Sequence, residues 1–212
     1  MSWPRSFRAS VSQYEIDDLK ARLQRVRWPN EPLGNEAWDW GTNLSYMKRL
    51  VGYWRDEFDW ARAEAELNRF PQYTVDLEAS GETHTIHFVH ERGSGRAPPP
   101  LILTHGWPST YREFLDVVEP LAHPERFGGN ADDGFDIVVP SLIGYGFSSK
   151  PKVPIGPAAI AELWHRLMHD VLGYRRYGAQ AGDWGSVVTS RLALQHPESV
   201  SAIHLTMLPL RP

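Results

Sequence analysis

The sequence has no cysteine among its 212 residues. That excludes a disulfide framework and any thiolate metal site, and it fits a cytosolic protein. It also lacks any run of about 18 apolar residues, which excludes a membrane-spanning helix. Residues 1–30 carry many charges and no apolar h-region, so nothing there reads as a signal peptide, and the expected location is cytoplasmic. Charge of one sign is missing too. Twenty-two Lys and Arg against 26 Asp and Glu leave a formal net charge of −4, which gives no reason to expect a nucleic-acid partner. The densest basic stretch, Arg22 to Arg27, falls on one predicted helix and reads as its solvated face. There is no internal repeat and no low-complexity segment. What is present is an ordinary 42% hydrophobic content, enough for one domain or one and a half with a sizeable core. Nine Trp suggest apolar surfaces lined with rings.

The first third reads as helical. Ser12-Gln13-Tyr14-Glu15 is a capping box, followed by Leu19, Leu23 and Val26 at helical spacing until Pro29 ends the run. Residues 33–43 are turn-rich. A second helix is predicted from Leu44 to Phe58, with Leu44, Met47, Val51, Trp54 and Phe58 on one face, and a third from Trp60 to Asn68. Then the period changes. Tyr73–Ala79 and Thr85–Glu91 read as strands joined at Ser80-Gly81. After a Pro-rich connection, Gly93 to Pro100, strands and helices alternate. Strands are predicted at Leu101–His105, Phe135–Ser141, Arg176–Gln180 and Val200–Met207. Helices are predicted at Tyr111–Leu121, Pro157–Leu172 and Gly185–His196. Such alternation predicts an α/β fold: a mostly parallel sheet with helices on both faces and a ligand site outside the strands' carboxyl ends.

The most informative segment is Ala181-Gly182-Asp183-Trp184-Gly185-Ser186. A strand ends, small residues turn sharply, and a helix begins, which is the layout of a nucleophile elbow. The slot that usually holds serine holds Asp183, and a carboxylate there can displace at a saturated carbon to form an alkyl ester. Asp is also a preferred helix N-cap. The flanking small residues and an upstream turn favour the elbow. That turn, His105-Gly106-Trp107-Pro108, directly follows a predicted strand. It can aim the Trp107 N–H into the cleft, where with the Trp184 N–H it forms a two-donor oxyanion hole; read alone it is a plain Gly-Pro turn.

Gly144-Tyr145-Gly146-Phe147-Ser148-Ser149-Lys150 superficially resembles a phosphate loop. It lacks the Gly before Lys of the Walker pattern and the third Gly of the dinucleotide pattern, so it reads as a pocket-shaping loop and no nucleotide cofactor is expected. His105, Gly106, Pro108 and Tyr145 are the expected pocket residues. No metal is expected either. His84, His87 and His90 alternate faces of one strand, and His165 and His169, i and i+4 on a helix, have no third ligand. His196 reads as a helix-end cation and His204 as structural.

These residues carry a family resemblance. The chain resembles epoxide hydrolases of the α/β-hydrolase superfamily, of the microsomal and juvenile-hormone type with its bacterial relatives, from about Val11 to Pro209. Leu19–Arg27, Trp28-Pro29, Trp38-Asp39, Tyr53-Trp54-Arg55 and Leu67-Asn68-Arg69-Phe70-Pro71 are similar to that group's N-terminal meander. His105–Pro108, Gly144–Ser148 and Tyr177-Gly178-Ala179-Gln180 with Gly182–Gly185 match its core. The resemblance implies an N-terminal region over 1–95, comprising the meander and the first two strands, and a partial hydrolase core over 96–212. It implies Asp183 as nucleophile, the amides of Trp107 and Trp184 as oxyanion donors, and a small-molecule epoxide as substrate. Asp183 opens the epoxide, lid tyrosines donate to the departing oxygen, and a His–acid pair activates the water that releases a diol.

Beyond Asp183 the sequence offers only Glu198 as an acid and His196 and His204 as bases, none at the family's positions, and the lid normally inserted after the 200–207 strand is missing. The expectation is a truncated chain that holds the nucleophile half without the acid–base half and turns over poorly alone. Its last strand is expected to be an apolar edge open to self-association or to a complementing chain. The alternatives are a haloalkane dehalogenase-like hydrolase, which also uses Asp followed by Trp but lacks the meander and the His105–Pro108 turn, and a catalytically degenerate scaffold.

Overall fold

Residues 3–32 and 38–208 are described by the computed structural model. They divide into two compact units, one formed by residues 9–66 and the other by the N-terminal residues up to Arg8 together with everything from Leu67 onward. The division expected at 95/96 therefore falls inside the second unit. The reason is pairing: strands on both sides of that point share one sheet.

The 9–66 unit is helical. Helix α1 (Gln13–Gln24) opens with the expected capping box, Ser12 accepting from the Glu15 N–H while Glu15 accepts from the Ser12 N–H. Each end satisfies a donor that the first helical turn leaves unpaired. Helix α2 (Leu44–Asp56) is capped by Asn43, and α3 (Trp60–Leu67) follows. The Val11 N–H donates to the Glu64 carboxylate at 2.6 Å, tying the start of α1 to α3. The expected apolar face of α2 is only partly covered: Leu44, Met47 and Val51 are half-buried and Trp54 is exposed. Of the turn-rich stretch 33–43, residues 33–37 lie outside the described residues, and 38–42 form turns and bends.

The second unit is built on a seven-stranded sheet: β1 (Arg5–Phe7), β2 (Gln72–Ala79), β3 (Glu82–Glu91), β4 (Pro100–Thr104), β5 (Asp136–Pro140), β6 (Tyr177–Ala181) and β7 (Val200–Leu205), in the order β1-β2-β3-β5-β4-β6-β7. The β1–β2, β2–β3 and β3–β5 pairings are antiparallel. The β5–β4, β4–β6 and β6–β7 pairings are parallel. Ser80 and Gly81 both take positive φ, 53° and 76°, as a two-residue hairpin turn requires. Pairing therefore starts at once, Ala79 opposite Glu82, and β3 begins three residues before its predicted start. β1 was not expected. Three residues carry no readable period, and the strand is held from outside by the Arg5–Asp76 ion pair at 2.8 Å.

Helices cover both faces. Ile86, Phe88, Ile102, Val138 and Ala179 pack against Leu163, Trp164, Leu167, Val188 and Leu192, supplied by α5 (Pro157–Arg166), the turn after it, and α6 (Asp183–Gln195). On the other face Val89, Leu103, Ile137 and Val139 meet Phe114, Leu115 and Val118. The last three come from a 3-10 turn, Tyr111–Phe114, that runs into α4 (Leu115–Ala122). Each fully buried large side chain contributes about 1.5–3 kcal/mol. The single helix expected over 157–172 is instead α5 plus one π-helical turn, Leu167–Val171, closed by Leu172 N–H donating to the Leu167 carbonyl at 3.0 Å.

One polar network sits at the far end of the sheet. Asp136 accepts from Tyr174 Oη at 2.6 Å, Arg92 at 2.7 Å and the Gly93 N–H at 2.8 Å. Burial alone would raise the Asp136 carboxyl; these donors outweigh it and hold it below the ordinary range. The network fastens the β3 exit to the β5 start. β4 has β5 on one side and β6 on the other, so the chain reverses its direction of travel across the sheet there. Outside the carboxyl end of such a strand a crevice opens.

Candidate active site

Two turns meet in that crevice. The first follows β6: Gly182 is the N-cap of α6 and Asp183 is its first residue, with φ at +48°. A left-handed conformation costs an L-residue roughly 1–2 kcal/mol, and a strained residue at a strand-to-helix bend is the mark of an elbow. Gly185 packs beneath it. A Cβ there would meet the His105 carbonyl oxygen at 2.7 Å and the Thr104 carbonyl more closely still, so only glycine lets α6 approach β4. A Cβ on Gly182 would meet Thr206 Oγ1 at 2.6 Å.

The second turn, residues 105–108, follows β4. The Trp107 N–H donates to Asp183 Oδ1 at 2.7 Å, a short charge-assisted bond. Gly106 lies against the same carboxylate: a Cβ there would sit 2.5 Å from Asp183 Cβ and 2.8 Å from Cγ. The N-cap alternative for Asp183 does not hold. Gly182 is the cap, α6 has no side-chain cap bond, and the carboxylate reaches across to another turn. Oδ1 is the oxygen that this turn engages. Asp183, Trp107 and Trp184 are all exposed.

The expected pocket residues separate. Tyr145 is half-buried and lines a recess of about 180 Å³ with Trp184, Leu142, Ile155, Ile160 and Val188. Pro108 is exposed. His105 is completely buried. Gly106 is also buried, filled over by the carboxylate. The Gly144–Lys150 loop acts as a strut. Ser148 Oγ accepts from the His87 N–H at 3.0 Å and donates to the Ser141 carbonyl at 2.7 Å, and Ser149 Oγ accepts from the Thr85 N–H at 3.1 Å.

The remaining histidines lie elsewhere. His87 is buried between Ser141 Oγ and Gln72 Oε1, each at 2.9 Å, and burial pushes it down to about 3. His90, bonded to Tyr174 Oη at 2.9 Å, is pushed down to about 4 by burial and by Arg92. His165 stacks on His169 and on His196, with ring centroids 5.0 and 3.6 Å apart. His196 is the C-cap of α6, and its Nε2 meets Glu162 at 2.9 Å. It lies past the C-terminus of α6, roughly 20 Å from Asp183 at 1.5 Å per residue. His204 is exposed on β7 and lines a groove of about 700 Å³ with Leu103, Phe114 and Val117. Among the described residues no group of three or more His, Cys, Asp or Glu is arranged to hold a metal ion. Among the described residues no helix is long and apolar enough to cross a membrane.

The chain also matches known protein families. The family described as "Epoxide hydrolase N terminus" matches residues 4–114, and "alpha/beta hydrolase fold" matches residues 99–211. The chain is 44% identical over 200 residues to a protein of Stigmatella aurantiaca assigned as an epoxide hydrolase, covering 94% of this chain and 44% of that one. It is 35% identical to epoxide hydrolase 1 of Oryctolagus cuniculus, covering 96% and 44%. The crystal structure of the juvenile hormone epoxide hydrolase of the silkworm Bombyx mori superposes with a TM-score of 0.83 at 29% identity, covering 98% of this chain and 53% of that one. The chain thus spans about half the length of the relatives it matches. On fold, turn geometry and family match together, the chain belongs to the epoxide hydrolases of the α/β-hydrolase superfamily.

Proposed function

We propose that this chain carries the nucleophile half of an epoxide hydrolase, with Asp183 as the nucleophile. The observation that carries the reading is the 2.7 Å bond from the Trp107 N–H to Asp183 Oδ1, made by a carboxylate at a strained elbow. Asp183 Oδ2 attacks one epoxide carbon in line. The C–O bond of the ring breaks, and the ring oxygen leaves as an alkoxide that takes up a proton. The product is a β-hydroxyalkyl ester whose carbonyl oxygen is Oδ1. Water then adds to the ester carbon, Oδ1 carries the negative charge, and collapse releases a diol and regenerates the carboxylate.

In the second step the oxyanion donors act. The Trp107 N–H is already in place. The Trp184 N–H, in the first turn of α6, has no intrahelical partner and supplies the second donor. A positioned donor of this kind is worth 10²–10³ in rate. The proton for the alkoxide and the base for the water fall to groups outside this half. His196 is too distant, and His204 belongs to the groove on the α4 side. Among the described residues β7 is the last strand of the sheet, and its Ser201 to His204 are exposed, which supports pairing of a further segment along it.

The test is incubation of the chain with propylene oxide followed by intact-mass spectrometry. A persistent single adduct, lost in Asp183→Asn, supports both the nucleophile and the divided machinery. No adduct on the parent chain, or an equal one on Asp183→Asn, overturns the reading.

A further inference from the structure

We propose that His105 is a positioning residue: its neutral imidazole, protonated on Nδ1, aims the Trp107 N–H at Asp183 by holding the preceding carbonyl. The inference rests on the Asp183 reading above and extends it to the residue that presets its donor.

The bonds define the tautomer. His105 Nε2 accepts from the Leu142 N–H at 3.0 Å, so Nε2 bears no proton and Nδ1 does. Nδ1–H donates to the Gly106 carbonyl oxygen at 3.1 Å. That carbonyl and the Trp107 N–H are the two ends of one planar trans peptide unit, pointing in opposite directions. Fixing the oxygen on one side therefore fixes the direction of the N–H on the other, where Asp183 Oδ1 waits at 2.7 Å. The Leu142 end of the ring is anchored in turn. Leu142 is buried in the turn after β5, and Tyr145 packs edge-on against the imidazole at 5.5 Å. The imidazole is thus a brace between the turns after two adjacent parallel strands, β4 and β5.

Both bonds require the neutral ring. A proton on Nε2 would face the Leu142 N–H with a second donor. Of the charged and titratable groups around the ring, Glu113 favours the cation, Tyr145 packs against its edge, and Asp183 lies against Gly106. Burial outweighs Glu113 and holds His105 below the ordinary histidine range.

The test combines the Trp107 and Leu142 amide resonances in ¹⁵N–¹H spectra with the rate of labelling by propylene oxide. In His105→Leu we expect the Trp107 resonance to move toward its position in Asp183→Asn, and labelling to slow by roughly 10²-fold. In His105→Gln, whose Oε1 can accept from the Leu142 N–H, both return toward the parent values. On acidification the parent's Trp107 and Leu142 resonances move together, with one midpoint below about 6.5. A purely structural histidine lowers the stability of His105→Leu and leaves the Trp107 resonance of the folded variant in place, which overturns the proposal; so does separate titration of the two amides. If His105→Leu does not fold, His105→Gln and the parent titration decide. Failure of the Asp183 reading has a different signature: the parent is not labelled, while the Leu142 resonance still follows His105.

Discussion

Gly106→Ala places one methyl group against the Asp183 carboxylate. On the native backbone that carbon would lie 2.5 Å from Asp183 Cβ and 2.8 Å from Cγ, whereas ordinary contact begins near 3.4 Å. Asp183 is fixed by its own left-handed backbone and by Gly185 packed under it, so the 105–108 turn must give way. An opening of about 0.9 Å stretches the Trp107 N–H bond from 2.7 Å to about 3.6 Å, which is no longer a hydrogen bond. A displacement near 1 Å costs about 10²-fold in rate, so formation of the Asp183 adduct should slow by about 10²-fold. The assay is the labelling rate under excess propylene oxide, followed by intact mass, with urea unfolding as the control for folding. A folded Gly106→Ala chain that is labelled as fast as the parent would refute the steric reasoning.

Gly185→Ala pushes the new carbon into two backbone carbonyls that cannot move independently, and overpacking of this kind costs about 1–3 kcal/mol or more; urea unfolding should show a lower midpoint. Stability should also fall in acid through His87. Its folded value, about 3, lies below the ordinary 6.5, so the folded state binds fewer protons. The contribution is complete above about pH 6.5 and is lost as the pH falls toward about 3, by on the order of 5 kcal/mol in total. His87→Gln should flatten that part of the stability–pH curve measured by denaturant titration. His90, pushed down to about 4, adds a smaller loss of the same sign. At the open edge of the sheet, Ile203→Lys should reduce concentration-dependent association in sedimentation velocity. A parent chain that stays monomeric at high concentration would contradict an adhesive β7.

The elbow is legible in the sequence because its residues are sterically obliged. Gly182 and Gly185 stand where any Cβ would collide, and a run of small residues between a strand pattern and a helix pattern has few other uses. The period change near residue 72 and the strand–helix alternation after residue 100 likewise follow from burial on two faces. The unit boundary is not legible. The Pro-rich stretch before β4 looks like a linker, yet β3 pairs with β5 across it, and no local pattern encodes a pairing between Phe88 and Pro140. The role proposed for His105 is no more legible, for a similar reason. Its position after an apolar strand hints at burial, but its role depends on an amide 37 residues away. The π-helical turn after α5 and the burial of His87 between Ser141 and Gln72 are equally tertiary in origin.

The proposed chemistry needs one carboxylate, Asp183, to accept the alkyl group. Tandem mass spectrometry of peptides from the propylene oxide-treated chain tests it most directly. The hydroxypropyl ester is expected on Asp183, with an unmodified peptide in Asp183→Asn. Modification of Glu113 or His204 with Asp183 left free would contradict it.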